Sequence, residues 1–86
     1  MTREDIMALV TRNLVDAVED LDPEAIDPDR SMKEMGASSL DIVEVVSRAM
    51  RELRVKIPRT ELSKLTNMNE LVDLLYKVRA QQPITG

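Results

Sequence analysis

Apolar residues recur at helical spacing along three stretches of the chain. In residues 3–21 they fall at Ile6, Met7, Leu9, Val10, Leu14, Val15, Val18 and Leu21, which predicts an amphipathic helix. Thr2 stands where an N-cap belongs, Glu4 and Asp5 suit the positive end of the helix dipole, and Pro23 stops the helix soon after Leu21. In residues 39–54, Leu40, Val43, Val46, Met50 and Leu53 fall three and four apart on one face. Ser38 is the expected N-cap there, and Asp41 completes a capping box. In residues 68–79, Leu71, Leu74, Leu75 and Val78 form a third stripe, opened by a capping box of Asn67 and Glu70.

The stretches between the stripes read differently. Residues 22–38, DPEAIDPDRSMKEMGAS, contain two Asp-Pro pairs and predict a long loop. A loop of this length in so short a chain is often functional. Ile26, Met32 and Met35 are expected to pin it to the core, with a short helical turn near 30–35. In the connector 55–66, Pro58 suits the first turn of a short helix over 58–65. The tail, 80–86, is expected to be flexible. No run alternates as a strand would. The pattern predicts an all-α fold: a small bundle of three main helices plus one short helix, with a long first loop, in a single domain over 1–86.

Composition narrows the function. Tyr76 is the only aromatic among 86 residues, so the core must be built from Leu, Ile, Val, Met and Ala. A small aliphatic core of this kind has modest stability and rearranges easily. With no Cys, disulfides, thiolate metal sites and cysteine nucleophiles are excluded. With no His, the usual metal ligand and the usual general base near neutral pH are missing. Catalysis by this chain, or a metal site on it, is therefore not expected. The net charge is −4, without the basic surplus of a nucleic-acid binder. The chain shows no signal-peptide pattern and no apolar run of about 18 residues, so the expectation is a cytoplasmic monomer off the membrane.

The charges are split along the chain. Residues 1–41 hold 11 acids and 4 bases, and residues 42–86 hold 5 acids and 8 bases. Such a dipole orients a charged partner, or it is simply a set of solvated faces.

One short stretch carries candidate chemistry: Gly36-Ala37-Ser38-Ser39-Leu40-Asp41. Gly36 permits a tight turn. Ser39 then falls in the first turn of a helix, beside free backbone N–H groups that favour an anion. Capping alone would also account for two adjacent serines.

In its context the stretch resembles the site of the acyl carrier proteins of fatty-acid and polyketide synthesis, where Gly-x-Asp-Ser-Leu opens the second helix. The resemblance runs through Asp41-Ile42-Val43-Glu44-Val45-Val46, Ile57-Pro58, Thr66-Asn67-Met68 and Leu74-Leu75, and spans roughly residues 6–78. It implies that Ser39 receives a covalent 4′-phosphopantetheine arm. A phosphopantetheinyl transferase activates the hydroxyl and supplies the arm from coenzyme A, with Mg²⁺ in its own site. The arm's thiol holds acyl groups as thioesters, and the protein is a carrier rather than an enzyme. The family buries its acyl chain between helices. The corresponding lining candidates are Val43, Val46, Met50, Leu65 and Leu71, each of which also suits ordinary core packing.

Two departures matter. Ser38 replaces the family's usual Asp; it still caps the helix but removes a charge that transferases meet. Where the second helix of fatty-acid carriers is acidic and docks on basic enzyme patches, Asp41 and Glu44 here are followed by Arg48, Arg51 and Arg54. These arginines would repel such enzymes, or they complement the negative end of the helix dipole. The docking candidates are Asp41, Glu44, Arg48 and Arg51. Together with Ile57-Pro58-Arg59-Thr60-Glu61-Leu62, the departures are most similar to discrete carriers of polyketide pathways that work with an HMG-CoA-synthase-like enzyme. The implied partners are that enzyme, an acyltransferase or a ketosynthase. The alternatives are a primary fatty-acid carrier and a carrier-like docking module without an arm.

Overall fold

Thr2 opens the first helix, α1 (Arg3–Ala17), through a reciprocal cap: its hydroxyl accepts from the Asp5 N–H, and the Asp5 carboxylate accepts from the Thr2 N–H. The Thr2 backbone donor, followed by the Thr2 side chain, holds the Asp5 carboxyl below its ordinary value. The computed structural model describes residues 2–81. Among these, α1 is followed by a 3₁₀ turn (Pro23–Ala25), α2 (Ser39–Leu53), a single-turn α3 (Arg59–Leu62) and α4 (Met68–Gln81), with no strand. The fold is all-helical.

Several boundaries differ from the pattern. α1 ends at Ala17 rather than Leu21: Val18 is extended, and Asp20 has φ 64°. No basic residue stands in its last turn, and Asp16, Glu19 and Asp20 place acids at the negative end of the dipole. Asp tolerates the left-handed region better than most residues. α2 stops one residue before 54 because Arg54 turns left-handed. The Val55 N–H then bonds the Met50 carbonyl at 3.0 Å, a Schellman closure.

α3 covers only part of 58–65. Pro58 precedes it as the cap, and 3₁₀-type turns carry the chain on to Leu65. α4 runs through Ala80 and Gln81; residues 82–86 of the expected tail lie outside the described residues. Its cap is half the expected box. Asn67 Oδ1 accepts from the Glu70 N–H at 2.8 Å, but the Glu70 carboxylate turns to the Thr66 hydroxyl instead.

The core takes Ile6, Val10 and Leu14 from α1, Val45, Ala49 and Leu53 from α2, and Met68, Leu71, Val72 and Leu75 from α4. The buried face of α2 is the expected one only in part: Val46 and Leu53 are buried and Met50 packs against the core. Leu40 is 82% exposed and Val43 61% exposed. α2 carries two overlapping stripes, and the core takes the one through Val45 and Ala49, because that side packs on α1.

Polar ties fix the rest. Asn13, buried within α1, donates to the Leu9 carbonyl at 3.0 Å and to Glu52 of α2 at 2.9 Å, and Arg12 holds the other Glu52 oxygen at 2.7 Å. The long loop is stitched to the start of α4 by Met68 N–H to the Arg30 carbonyl and Asn69 N–H to the Pro28 carbonyl. Arg3 reaches across to Asn69 and Asp73. Met32 is buried, and Ile26 and Met35 pack against the core, so the loop delivers its last residues to a fixed point.

Candidate functional site

That point is the start of α2. Turns over 32–36 tighten the chain, with Gly36 N–H on the Lys33 carbonyl and Ala37 N–H on the Met32 carbonyl. Gly36 has φ +102°, and a Cβ there would meet nothing within 4 Å. Backbone conformation rather than space calls for glycine at this position. Ala37 is buried and anchors the turn.

The two serines then take different roles. The Ser38 hydroxyl accepts from the Asp41 N–H at 3.2 Å, and the Asp41 carboxylate accepts from the Ser38 N–H at 3.0 Å. Ser38 is the cap, and Asp41 is held in place by it. Ser39 is exposed, and its hydroxyl has no hydrogen-bond partner among the described residues. The backbone N–H groups of Ser39 and Leu40 are likewise left free at the positive end of the helix. A phosphodiester on Ser39 would meet two donors and a favourable dipole. These residues fit a phosphopantetheine group.

Beside this helix start a cavity of about 710 Å³ opens between α2, the α3 turn and the loop. Val43, Val46, Met50, Leu65 and Leu71, the five lining candidates, all stand on its wall. Val43 is at the exposed side, and Val46 and Leu71 are buried. Sequence reasoning missed Ile42, Ile57 and Leu62 on the same wall. It also missed the polar Ser47 and Arg59. Ser47 was legible: 43, 46, 47 and 50 share one helical face. Arg59 was not, because only the fold of the connector brings it there.

The docking candidates are not equivalent. Asp41 serves the cap. Glu44 and Arg48 pair with each other at 2.7 Å. Arg51 is exposed and has no ion-pair partner among the described residues. Leu40 and Val43, members of the expected apolar stripe, form an exposed apolar pair one turn apart next to Ser39. Among the described residues no helix is long and apolar enough to cross a membrane.

Comparison with known proteins gives the family. The family described as "Phosphopantetheine attachment site" matches residues 10–75. The chain is 33% identical over 76 residues to the polyketide biosynthesis acyl-carrier-protein AcpK of Bacillus subtilis (strain 168), covering 88% of this chain and 93% of that protein. It is 37% identical over 70 residues to the acyl carrier protein of Helicobacter pylori (strain ATCC 700392 / 26695), covering 80% and 83%. Among solved structures it superposes with TM-score 0.76 and 28% identity on a chain of the curacin biosynthetic pathway HMG synthase in complex with acetyl donor-ACP, covering 88% and 96%. A phosphopantetheine-attachment domain on an all-helical fold defines a carrier. The chain belongs to the acyl carrier protein family.

Proposed function

We propose that Ser39 is the attachment point of the 4′-phosphopantetheine arm and that the chain carries acyl groups in a polyketide or other specialised pathway. The observation that carries this is the exposed, unpartnered Ser39 hydroxyl at the open end of α2, beside the cavity. When bound, the arm supplies a thiol that holds acyl groups as thioesters. The chain's own part is to present the hydroxyl, to bind the phosphodiester with the Ser39 and Leu40 N–H groups, and to shelter the acyl group against Val43, Val46, Met50, Leu65 and Leu71. In attachment, the Ser39 oxygen bonds the β-phosphorus of coenzyme A. The pyrophosphate bond breaks, adenosine 3′,5′-bisphosphate leaves, and the hydroxyl proton passes to the transferase's base. No side chain of this protein enters as acid or base, in keeping with a carrier acted on by other enzymes.

The pathway reading draws on the likeness to AcpK and to the acetyl-donor carrier seen with an HMG synthase. An HMG-synthase-like enzyme, an acyltransferase and a ketosynthase are the partners proposed, with Asp41, Glu44, Arg48 and Arg51 on the face they meet. A cytoplasmic monomer suits a protein that shuttles between them. Similarity to several proteins named acyl carrier protein keeps a primary fatty-acid role as the second reading.

The test is an intact mass after incubation with coenzyme A, Mg²⁺ and a broad-specificity transferase. The expected gain is one phosphopantetheine, retained in Ser38→Ala and absent in Ser39→Ala. A gain that survives Ser39→Ala would move the site to Ser38, and no gain in the wild type would point to a docking module without an arm.

A further inference from the structure

We propose that the cavity between α2 and α3 selects an acyl group ending in a carboxylate, with the Arg59 guanidinium and the Ser47 hydroxyl as its recognition pair. This rests on the reading of Ser39 as the arm's attachment point.

The polar side chains on the cavity wall are Ser31, Ser47, Arg59, Ser63, Thr66 and Asn67. Four of them are engaged in local turns. Ser31 Oγ accepts from the Glu34 N–H, Ser63 Oγ donates to the Thr60 carbonyl, Thr66 Oγ1 donates to Glu70, and Asn67 Oδ1 accepts from the Glu70 N–H. Ser47 and Arg59 are different: neither side chain has a hydrogen-bond or ion-pair partner among the described residues. Arg59 is not left free for want of acids. Glu61 pairs with Lys64, Glu44 with Arg48, Glu70 bonds Thr66, and Asp41 serves the Ser38 cap. None of these carboxylates forms an ion pair with Arg59, which stands on the cavity wall without a partner among the described residues.

The same cavity is lined by the aliphatic side chains of Val46, Met50, Ile57, Leu62 and Leu71. A half-buried hydroxyl in such a wall gains nothing from a saturated chain and would lose water to it. The combination suits a ligand with an apolar middle and an anionic end. A planar carboxylate matches a guanidinium in two-point contact, and a serine hydroxyl adds a third donor. The reach is consistent: Ser47 lies about 12 Å along α2 from Ser39, so an arm folding back along the helix brings the far end of its acyl group to this part of the wall.

The experiment uses the full chain, loaded by a transferase from two non-hydrolysable coenzyme A analogues. One carries a glutaryl group in amide linkage, and the other carries its neutral terminal-carboxamide counterpart. Intact mass is read first; no gain with either analogue defeats the Ser39 reading and this proposal with it. With mass gained, ¹⁵N–¹H amide shifts are compared. The expected result is that glutaryl shifts the amides of Ser47 and of residues 59–63 at least about twofold more than the carboxamide does. That excess should vanish in Arg59→Gln, shrink in Arg59→Lys and fall as salt rises. Arg59 is exposed and unpaired, so these variants keep the fold, and their other amide shifts verify it. Equal shifts for the two loaded forms, or an excess that persists in Arg59→Gln, would overturn the proposal.

Discussion

Ser38 and Ser39 carry the same hydroxyl and sit side by side, yet backbone geometry separates their chemistry. The residue before the first helical turn is the one whose side chain folds back on the Asp41 N–H, and the next one points away with its hydroxyl free. A second residue-scale effect stands at the other end of α2. Arg54 occupies φ 57°, ψ 42°, a conformation that costs a residue with a Cβ about 1–2 kcal/mol, while the Schellman bonds around it are complete. Arg54→Gly should therefore raise stability by about 0.5–1 kcal/mol, the relief being partly offset by glycine's greater freedom in the unfolded chain. Urea unfolding checks it: the midpoint rises with an unchanged slope. A lower midpoint would mean that the arginine side chain contributes more than its backbone costs.

At the scale of elements, α1 and α2 are joined by a polar clasp inside an otherwise aliphatic interface. Asn13 is buried, and its amide bridges the Leu9 carbonyl and Glu52, which also receives Arg12. Removing the amide leaves a carboxylate oxygen with one partner fewer at the edge of the core. Asn13→Ala should cost about 1–2 kcal/mol, and a double-mutant cycle with Glu52→Ala should show coupling of about 0.5 kcal/mol or more. Additive losses would deny the clasp. The helices themselves were legible, because a period of 3.6 with Thr2 and Ser38 as caps leaves little choice. Their buried faces were less so. In α2, residues 40, 43, 46, 50 and 53 satisfy helical spacing as well as 42, 45, 46, 49 and 53 do, and only the position of α1 decides between them. The end of α1 was hidden for a related reason: Val18 and Leu21 continue the stripe, while the acids around them end the helix. The Gly36–Leu40 stretch was legible because cap and glycine are local features. Arg59 at the cavity was not, since a connector carries no period.

Across the whole molecule, charge is distributed so that the two ends of α2 differ. The Ser39 end holds Asp41, whose carboxylate serves the cap and keeps its charge, and Glu44, whose charge is offset by Arg48. The far end presents Arg51 and Arg54, both exposed and without an ion-pair partner among the described residues. A partner with a basic docking patch meets an exposed apolar pair, Leu40 and Val43, and then a repulsive end. Exposed charges of this kind act on encounter more than on the bound complex. Arg51→Glu removes one cation and adds one anion where the pairing is free, at a cost of about 0.3–1 kcal/mol to the helix terminus. With arm-loaded protein, the variant should be accepted by a fatty-acid-type ketosynthase at a kcat/KM about threefold to tenfold higher than wild type at low ionic strength. The gain should shrink as salt is raised past about 0.15 M, where the screening length falls to about 8 Å. A gain that ignores salt would assign the effect to shape rather than charge, and no gain would mean that the arginines serve the helix dipole and leave partner choice to the apolar pair.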